Sequence, residues 1–170
     1  MGKVTVAASD TALSAFSDNL SHVLEARALL CVITPDGLDG EAVVRAALTR
    51  HTGTDPVWVT AATSYGHGAL LDAFYAELNL GARPRFLSDA QLAVDAELAR
   101  RTAPVVVVRD AHRLSTDALV AVYGLWTHFQ RHEPRMTVVL LGPERLRTVL
   151  QRPALASLHN CVYIWHRLTQ

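Results

Sequence analysis

The sequence predicts an α/β fold, a three-layer α/β/α sandwich built on a five-stranded parallel sheet. Three observations carry that expectation. Five short Val- and Ile-rich runs recur along the chain, apolar at consecutive positions and so suited to strands buried on both faces. Helix-length amphipathic segments separate them, and crossovers of that length give right-handed βαβ units. Half of the 170 residues are apolar, enough for one sizeable core. Residues 1–170 therefore read as a single domain, with an N-terminal helix region at 1–27 and a core at 28–170.

In chain order, Leu13, Phe16, Leu20, Val23 and Leu24 recur at helical spacing and predict a helix over 10–26 that lies on the sheet. The strand-like runs are ALLCVIT from Ala28, PVWVTA from Pro56, PVVVVR from Pro104, MTVVLLG from Met136 and CVYIW from Cys161. Between them, helices are expected over 41–51, 68–80, 88–101, 115–132 and 143–150. Ser88 with Gln91 has the pattern of a capping box, Ser115 is a good N-cap, and Pro143 suits a first helical turn.

Charge excludes little but divides the chain. Sixteen basic residues balance sixteen acidic ones, so no global field favours nucleic acid or an anionic membrane. Residues 1–80 nevertheless hold 4 Lys/Arg against 9 Asp/Glu, and residues 81–170 hold 12 against 7. The N-terminus lacks the pattern of a secretory signal and no run is long and apolar enough to span a bilayer, which predicts a cytoplasmic protein with no membrane partner. Cys31 and Cys161 both fall in strand-like runs, without disulfide or metal spacing, and read as buried reduced thiols.

The stretch CVITPDGLDGEAVVRAAL, residues 31–48, has the outline of a phosphate-binding loop: an apolar strand, a Gly-containing turn and an amphipathic helix. A working loop reads G-x-x-x-x-G-K-[ST], with backbone N–H groups and Lys on the phosphates and a hydroxyl on Mg²⁺. With Gly40 as the last Gly, Pro35 stands at the first, Glu41 at the Lys and Ala42 at the hydroxyl, with Asp36, Gly37, Leu38 and Asp39 between. A carboxylate ~4 Å from a phosphate charge costs about 4 kcal/mol at an effective dielectric near 20, so three carboxylates should repel ATP. The second element of such a site is a strand ending in Asp-Glu, which support Mg²⁺ and activate water. In PVVVVRDAHRLSTDAL the pair is Arg109 and Asp110, followed by His112, and Arg cannot ligate a cation.

These stretches, with TAATSYGHGALLDAFYAELNLG and MTVVLLGPERLRTVLQRPALASL, resemble the AAA+ ATPases of the origin-recognition-like AAA_22 group. That group includes transposition regulators of the TniB/TnsC type and ExeA-type secretion ATPases. The resemblance runs from Ala28 to the end and implies a P-loop NTPase-like sheet whose first strand is central, flanked by the fourth and fifth. On that order Cys31 and Cys161 fall on neighbouring strands. It also marks departures: Pro143 after Gly142 where a polar sensor is usual, and Asn160 near the expected trans-acting arginine. The chain ends where the family's helical lid would begin, so no C-terminal lid is expected.

In an active site of this type a loop Lys faces a carboxylate at the end of the third strand. Here the signs are exchanged, which predicts an ion pair between Glu41 and Arg109 that fills the phosphate site and holds the loop shut. The expected function is a catalytically inactive pseudo-ATPase without catalytic residues, cofactor or metal, acting as a regulatory module on a protein partner, itself or an active AAA ATPase. The alternative is an ATP/Mg-binding domain with weak or partner-dependent hydrolysis, serving DNA transposition or secretion. Arg131, Arg135, Arg145, Arg147 and Arg152 would offer nucleic acid a basic face if they share one. His128 and His132 have metal-sharing spacing but no third ligand, and Ser64, His67 and Asp72 lack the nucleophile-elbow context of a hydrolase. Trp126 and Phe129 continue the apolar face of their helix and are expected in the core, as is Trp165.

Overall fold

The five apolar runs form β1 (Leu29–Ile33), β2 (Asp55–Val59), β3 (Pro104–Val108), β4 (Thr137–Gly142) and β5 (Val162–Arg167) of a computed structural model. It describes residues 8–60, 65–131 and 135–170. The strands pair in parallel in the order β2-β3-β4-β1-β5, so the first strand sits between the fourth and fifth. β1, β3 and β4 are buried along their whole length, whereas β2 and β5, at the sheet edges, are partly exposed. Continuous apolar runs and central positions therefore go together, because only a strand covered by helices on both faces needs two apolar faces.

Alternation along β1 divides the core. Leu30 and Val32 face a layer that includes Phe16, Leu20, Val44 and Leu48 from α1 (Asp10–Ala26) and α2 (Gly40–Thr49). Leu29, Cys31 and Ile33 face the opposite layer, with Leu71 and Phe74 of α3 (His67–Glu77), Val94 and Leu98 of α4 (Leu87–Ala99) and Leu119 of α5 (Thr116–His128). The same layer takes Leu146 of α6 (Arg145–Leu150) and Leu158 of α7 (Ala156–Cys161). The result is the three-layer α/β/α sandwich expected from the period-two strands and period-3.6 helices.

Helix ends depart from expectation in informative ways. Ser88 is not an N-cap: α4 begins at Leu87 after Phe86, and Gln91 bonds to His67 of α3 (3.2 Å), a tertiary contact, and to Asp95 one turn on in α4 (2.9 Å). Ser115 does cap α5, its Oγ accepting from the Ala118 N–H at 3.1 Å. Pro143 stands before Glu144, the cap of α6, and its carbonyl accepts from the Leu146 N–H at 2.8 Å, so it shapes the entry without lying in the helix. Cys161 closes α7 just before β5 and so is not a strand residue. Its Sγ lies 3.7 Å from the Tyr123 hydroxyl, while burial pushes the Cys31 thiol well above its ordinary pKa. Phe129 is buried, but Trp126 and Trp165 are only half-buried, and the Trp126 indole N–H donates to the Arg27 carbonyl at 3.2 Å. Among the described residues no helix is long and apolar enough to cross a membrane.

Candidate functional site

A cleft of about 510 Å³ opens where β1, β2, β3 and β4 end, lined by residues 34–41, Thr60, Arg109, Asp110 and 141–143. Parallel sheets place ligand clefts at the carboxyl ends of their strands, because the loops there are free to vary while the strands hold them in register. The cleft thus collects the whole 35–41 loop, the two residues after β3 and the Gly142–Pro143 pair; Ala42 and His112 lie just outside it.

The loop is built from local chemistry. Pro35 accepts from the Leu38 N–H at 3.3 Å across a turn whose third residue, Gly37, has φ +84, a conformation that favours Gly. Asp39 then caps α2, its carboxylate accepting from the Ala42 N–H at 3.0 Å. In a working phosphate loop the first N–H groups of this helix face the ligand, attracted by the positive end of the dipole. Here a fixed carboxylate already occupies one of them. Gly40 is required for a different reason: a Cβ there would lie 2.2 Å from Thr34 Oγ1 and 2.9 Å from its Cγ2. The Thr34 N–H donates to the Gly142 carbonyl at 2.8 Å, which ties the loop to β4.

Arg109 Nη1 donates to Glu41 Oε1 at 2.9 Å, and Arg45 Nη2 donates to the same oxygen at 2.8 Å. Both guanidiniums also lie against Trp58, at 4.1 Å from the ring centroid for Arg45 and 5.9 Å for Arg109. Glu41 therefore joins two cations that both lie within cation–π range of one indole ring. The sequence reading missed Arg45 and Trp58. Arg45 was available as the i+4 partner of Glu41, whereas Trp58 comes near only through the strand order. The expectation that the Glu41–Arg109 pair fills the cleft is corrected: the two side chains form part of its wall, each about one-third exposed, and the cleft stays open.

The Arg45 hydrogen bond, opposed by partial burial and helped by Arg109, holds the Glu41 carboxyl below its ordinary pKa of 4.5. A depressed carboxyl pKa stabilises the fold above the unfolded value and loses that stabilisation as pH falls through the folded value. The stability gap between the wild type and Glu41→Gln, read as the urea midpoint, is expected to be full well above pH 4.5 and to close as pH falls below it, with a total within about 1 kcal/mol given the exposure. A gap independent of pH would contradict the pairing.

Asp110 adopts a left-handed conformation, φ 49 and ψ 41, tolerated by Asp, and starts a 3-10 turn at Ala111–Arg113. Burial lowers the His112 pKa, and its Nδ1 packs against Gly142, where an added Cβ would meet it at 3.2 Å. The Gly142–Pro143 pair offers the cleft backbone but no polar side chain.

Other candidates separate. Ser64 and His132 lie outside the described residues; His67 is bonded to Gln91, and Asp72 pairs with Arg83. The five C-terminal-half arginines do not share a face. Arg135 precedes β4, near Arg27 and Arg101, and Arg145 follows it, with a strand on the order of 17 Å long between them. Arg147 is held by Glu144 at 3.1 Å and lies 4.9 Å from the Trp165 ring centroid.

Strand order, the loop between β1 and α2 and the cleft at the strand ends match a P-loop NTPase-like α/β fold. Solved structures of that fold are similar over nearly the whole chain. Cdc6p from Pyrobaculum aerophilum matches with a TM-score of 0.73 at 16% identity, over 94% of this chain and 45% of that one. The ORC1 protein of Aeropyrum pernix in complex with DNA matches at 0.63 and 17%, over 92% and 44%. Drosophila ORC bound to DNA matches at 0.60 and 14%, over 93% and 90%. The chain thus spans under half the length of the Cdc6p and ORC1 chains. At these identities the likeness is one of fold. No family model and no curated protein sequence matches.

Proposed function

We propose that this domain has an AAA+ fold whose nucleotide site no longer works, and that it acts as a regulatory binding module through protein contacts, with itself or with an active AAA ATPase. The observation that carries the reading is Glu41: at the position where a phosphate-binding Lys belongs, a carboxylate engages Arg45 and Arg109 together. Asp39 adds a second anion at the N-terminus of α2, and Asp36 and Asp110 line the same cleft. A triphosphate entering there meets four carboxylates and one arginine already bonded, without the Lys and hydroxyl that hold phosphate and Mg²⁺. Loss of chemistry with retention of fold is ordinary, because the sheet is stabilised by its apolar faces rather than by the loop. Exposed Phe86 and Leu92, on and beside α4, supply apolar surface for a protein contact.

One observation favours a second reading, an ATP-binding domain with weak or partner-dependent hydrolysis: the cleft is open and Arg109 Nε is buried without a partner. On that reading Arg109 turns from Glu41 to phosphate. The resemblance to AAA_22 regulators of transposition and secretion supports either reading, and the DNA named for the ORC structures extends to this chain only as a proposal. Equilibrium titration with Mg-ATP tests between them. Absence of saturable binding into the millimolar range is expected, and binding at micromolar concentrations supports the second reading.

A further inference from the structure

A second cleft, of about 430 Å³, shares no lining residue with the first. Its wall holds Tyr65, His112, Arg113, Ser115, Arg145 and Arg152, with no carboxylate among them. Three arginines come from three separate elements: the 3-10 turn after β3, α6, and the turn that follows α6. None of the three is in an ion pair among the described residues. We propose that this cleft binds a phosphomonoester dianion, through the guanidinium groups of Arg113, Arg145 and Arg152.

Two of these side chains are held before any ligand arrives. Arg113 lies 4.6 Å from the Tyr65 ring centroid and hydrogen-bonds to its hydroxyl. Tyr65 is itself fixed by the Ser115 N–H, which donates to its carbonyl at 2.8 Å. Arg152 Nη1 donates to Thr116 Oγ1 at 3.2 Å. Each guanidinium keeps further N–H donors, in a planar fork that matches phosphate oxygens. Ser115 is also the N-cap of the 13-residue α5, so the positive end of that helix faces the same place. The nearest acids by sequence, Asp110, Asp117 and Glu144, do not line the cleft, and Glu144 is paired with Arg147 and Arg167.

Concave shape and charge placement favour one compact dianion over a nucleic-acid backbone. A duplex needs phosphate contacts along a track, and the remaining arginines are elsewhere: Arg27, Arg101 and Arg135 gather with Glu25 beyond the amino ends of the strands, and Arg147 is paired with Glu144. A phosphomonoester needs only the one cluster. Its source is a free phosphorylated metabolite or a phosphorylated side chain of a partner, two presentations of the same chemistry.

The test is an amide-shift titration with inorganic phosphate, sodium chloride being adjusted to hold ionic strength constant. Saturable shifts are expected at residues 112–116 and 145–152, weakened at least tenfold in the Arg145→Gln, Arg152→Gln double variant, which removes two of the three charged donors. Both substitutions are at exposed side chains, and an unchanged unfolding midpoint confirms an intact fold. Phosphoserine and a phosphoserine peptide form parallel arms: equal affinity points to a metabolite, tighter peptide binding to a partner. No saturable shift, or shifts that persist in the double variant and so report an adventitious ion only, would overturn the proposal. A DNA duplex that shifts these amides at lower concentration than phosphate, with steep salt dependence, would overturn it in favour of nucleic acid.

Discussion

Trp58→Ala is expected to destabilise the domain by about 3–5 kcal/mol, the range for removing a buried aromatic side chain. Trp58 is 7% exposed, paired in register with Val107 of β3 and packed in the layer that includes Val105, Val107 and Val44. Its loss leaves a cavity under the sheet edge and removes the surface on which Arg45 and Arg109 rest. Two smaller substitutions separate these contributions. Trp58→Phe keeps an aromatic face and most of the volume; Trp58→Leu keeps apolar burial but no π-face. Leu is expected to be less stable than Phe by about 0.5–2 kcal/mol, the cation–π share, and the difference should shrink when Arg45 is replaced by Gln. If urea midpoints for Phe and Leu coincide, the guanidiniums rest on Trp58 without energetic consequence.

Gly40→Ala is expected to destabilise by about 1–3 kcal/mol, the usual cost of forcing an extra carbon into packed surroundings. The prediction is sharp because Ala is normally the better residue at a helical position, by up to about 1 kcal/mol. Here the added carbon meets Thr34 Oγ1 at 2.2 Å, Cγ2 at 2.9 Å and Cβ at 3.1 Å. All three are side-chain atoms of Thr34, so Thr34 or the 35–39 loop must shift to admit the carbon. Thr34→Ala removes the two nearer atoms. In that background the sign should reverse, and the double-mutant cycle should report a coupling of at least about 1 kcal/mol. Additive effects would mean that Gly40 is not held by Thr34.

The architecture was legible in the sequence where one physical cause dominated. VVVV at 105–108 is apolar at every position, so it had to be covered on both faces, and it lies in the interior of the sheet. The face of α1 containing Phe16, Leu20, Val23 and Leu24 was readable from spacing alone, and its bounds coincide with the expected ones. Local rules failed where a distant partner competed. Ser88 and Gln91 have the spacing of a capping box, but His67, 24 residues away in sequence, takes Gln91 and the helix starts one residue earlier.

The cleft was legible in part for the same reason. Its loop follows from Pro35, Gly37 and Asp39, residues with strong local preferences, and the exchange of charge between positions 41 and 109 is visible without a structure. What depends on side-chain volume in three dimensions was not. The pair lines the cleft rather than closing it, and Trp58, which orients both cations, comes from a strand whose place is set by sheet order. The condition that the five arginines share one face is not met, because β4 separates Arg135 from Arg145, while Arg113 joins Arg145 and Arg152.

The most direct measurement is the calorimetric titration of Mg-ATP and Mg-ADP into the wild type and the Glu41→Lys, Arg109→Asp double variant, with the unfolding midpoint followed in the same samples. Native-state binding must raise stability by mass action, by about 2.7 kcal/mol at a hundredfold excess over Kd. A wild type with no saturable heat and an unchanged midpoint is the result expected of a nucleotide site disabled by its own carboxylates. Saturable binding with a raised midpoint in the wild type would contradict it and make Arg109 a phosphate ligand instead of the partner of Glu41.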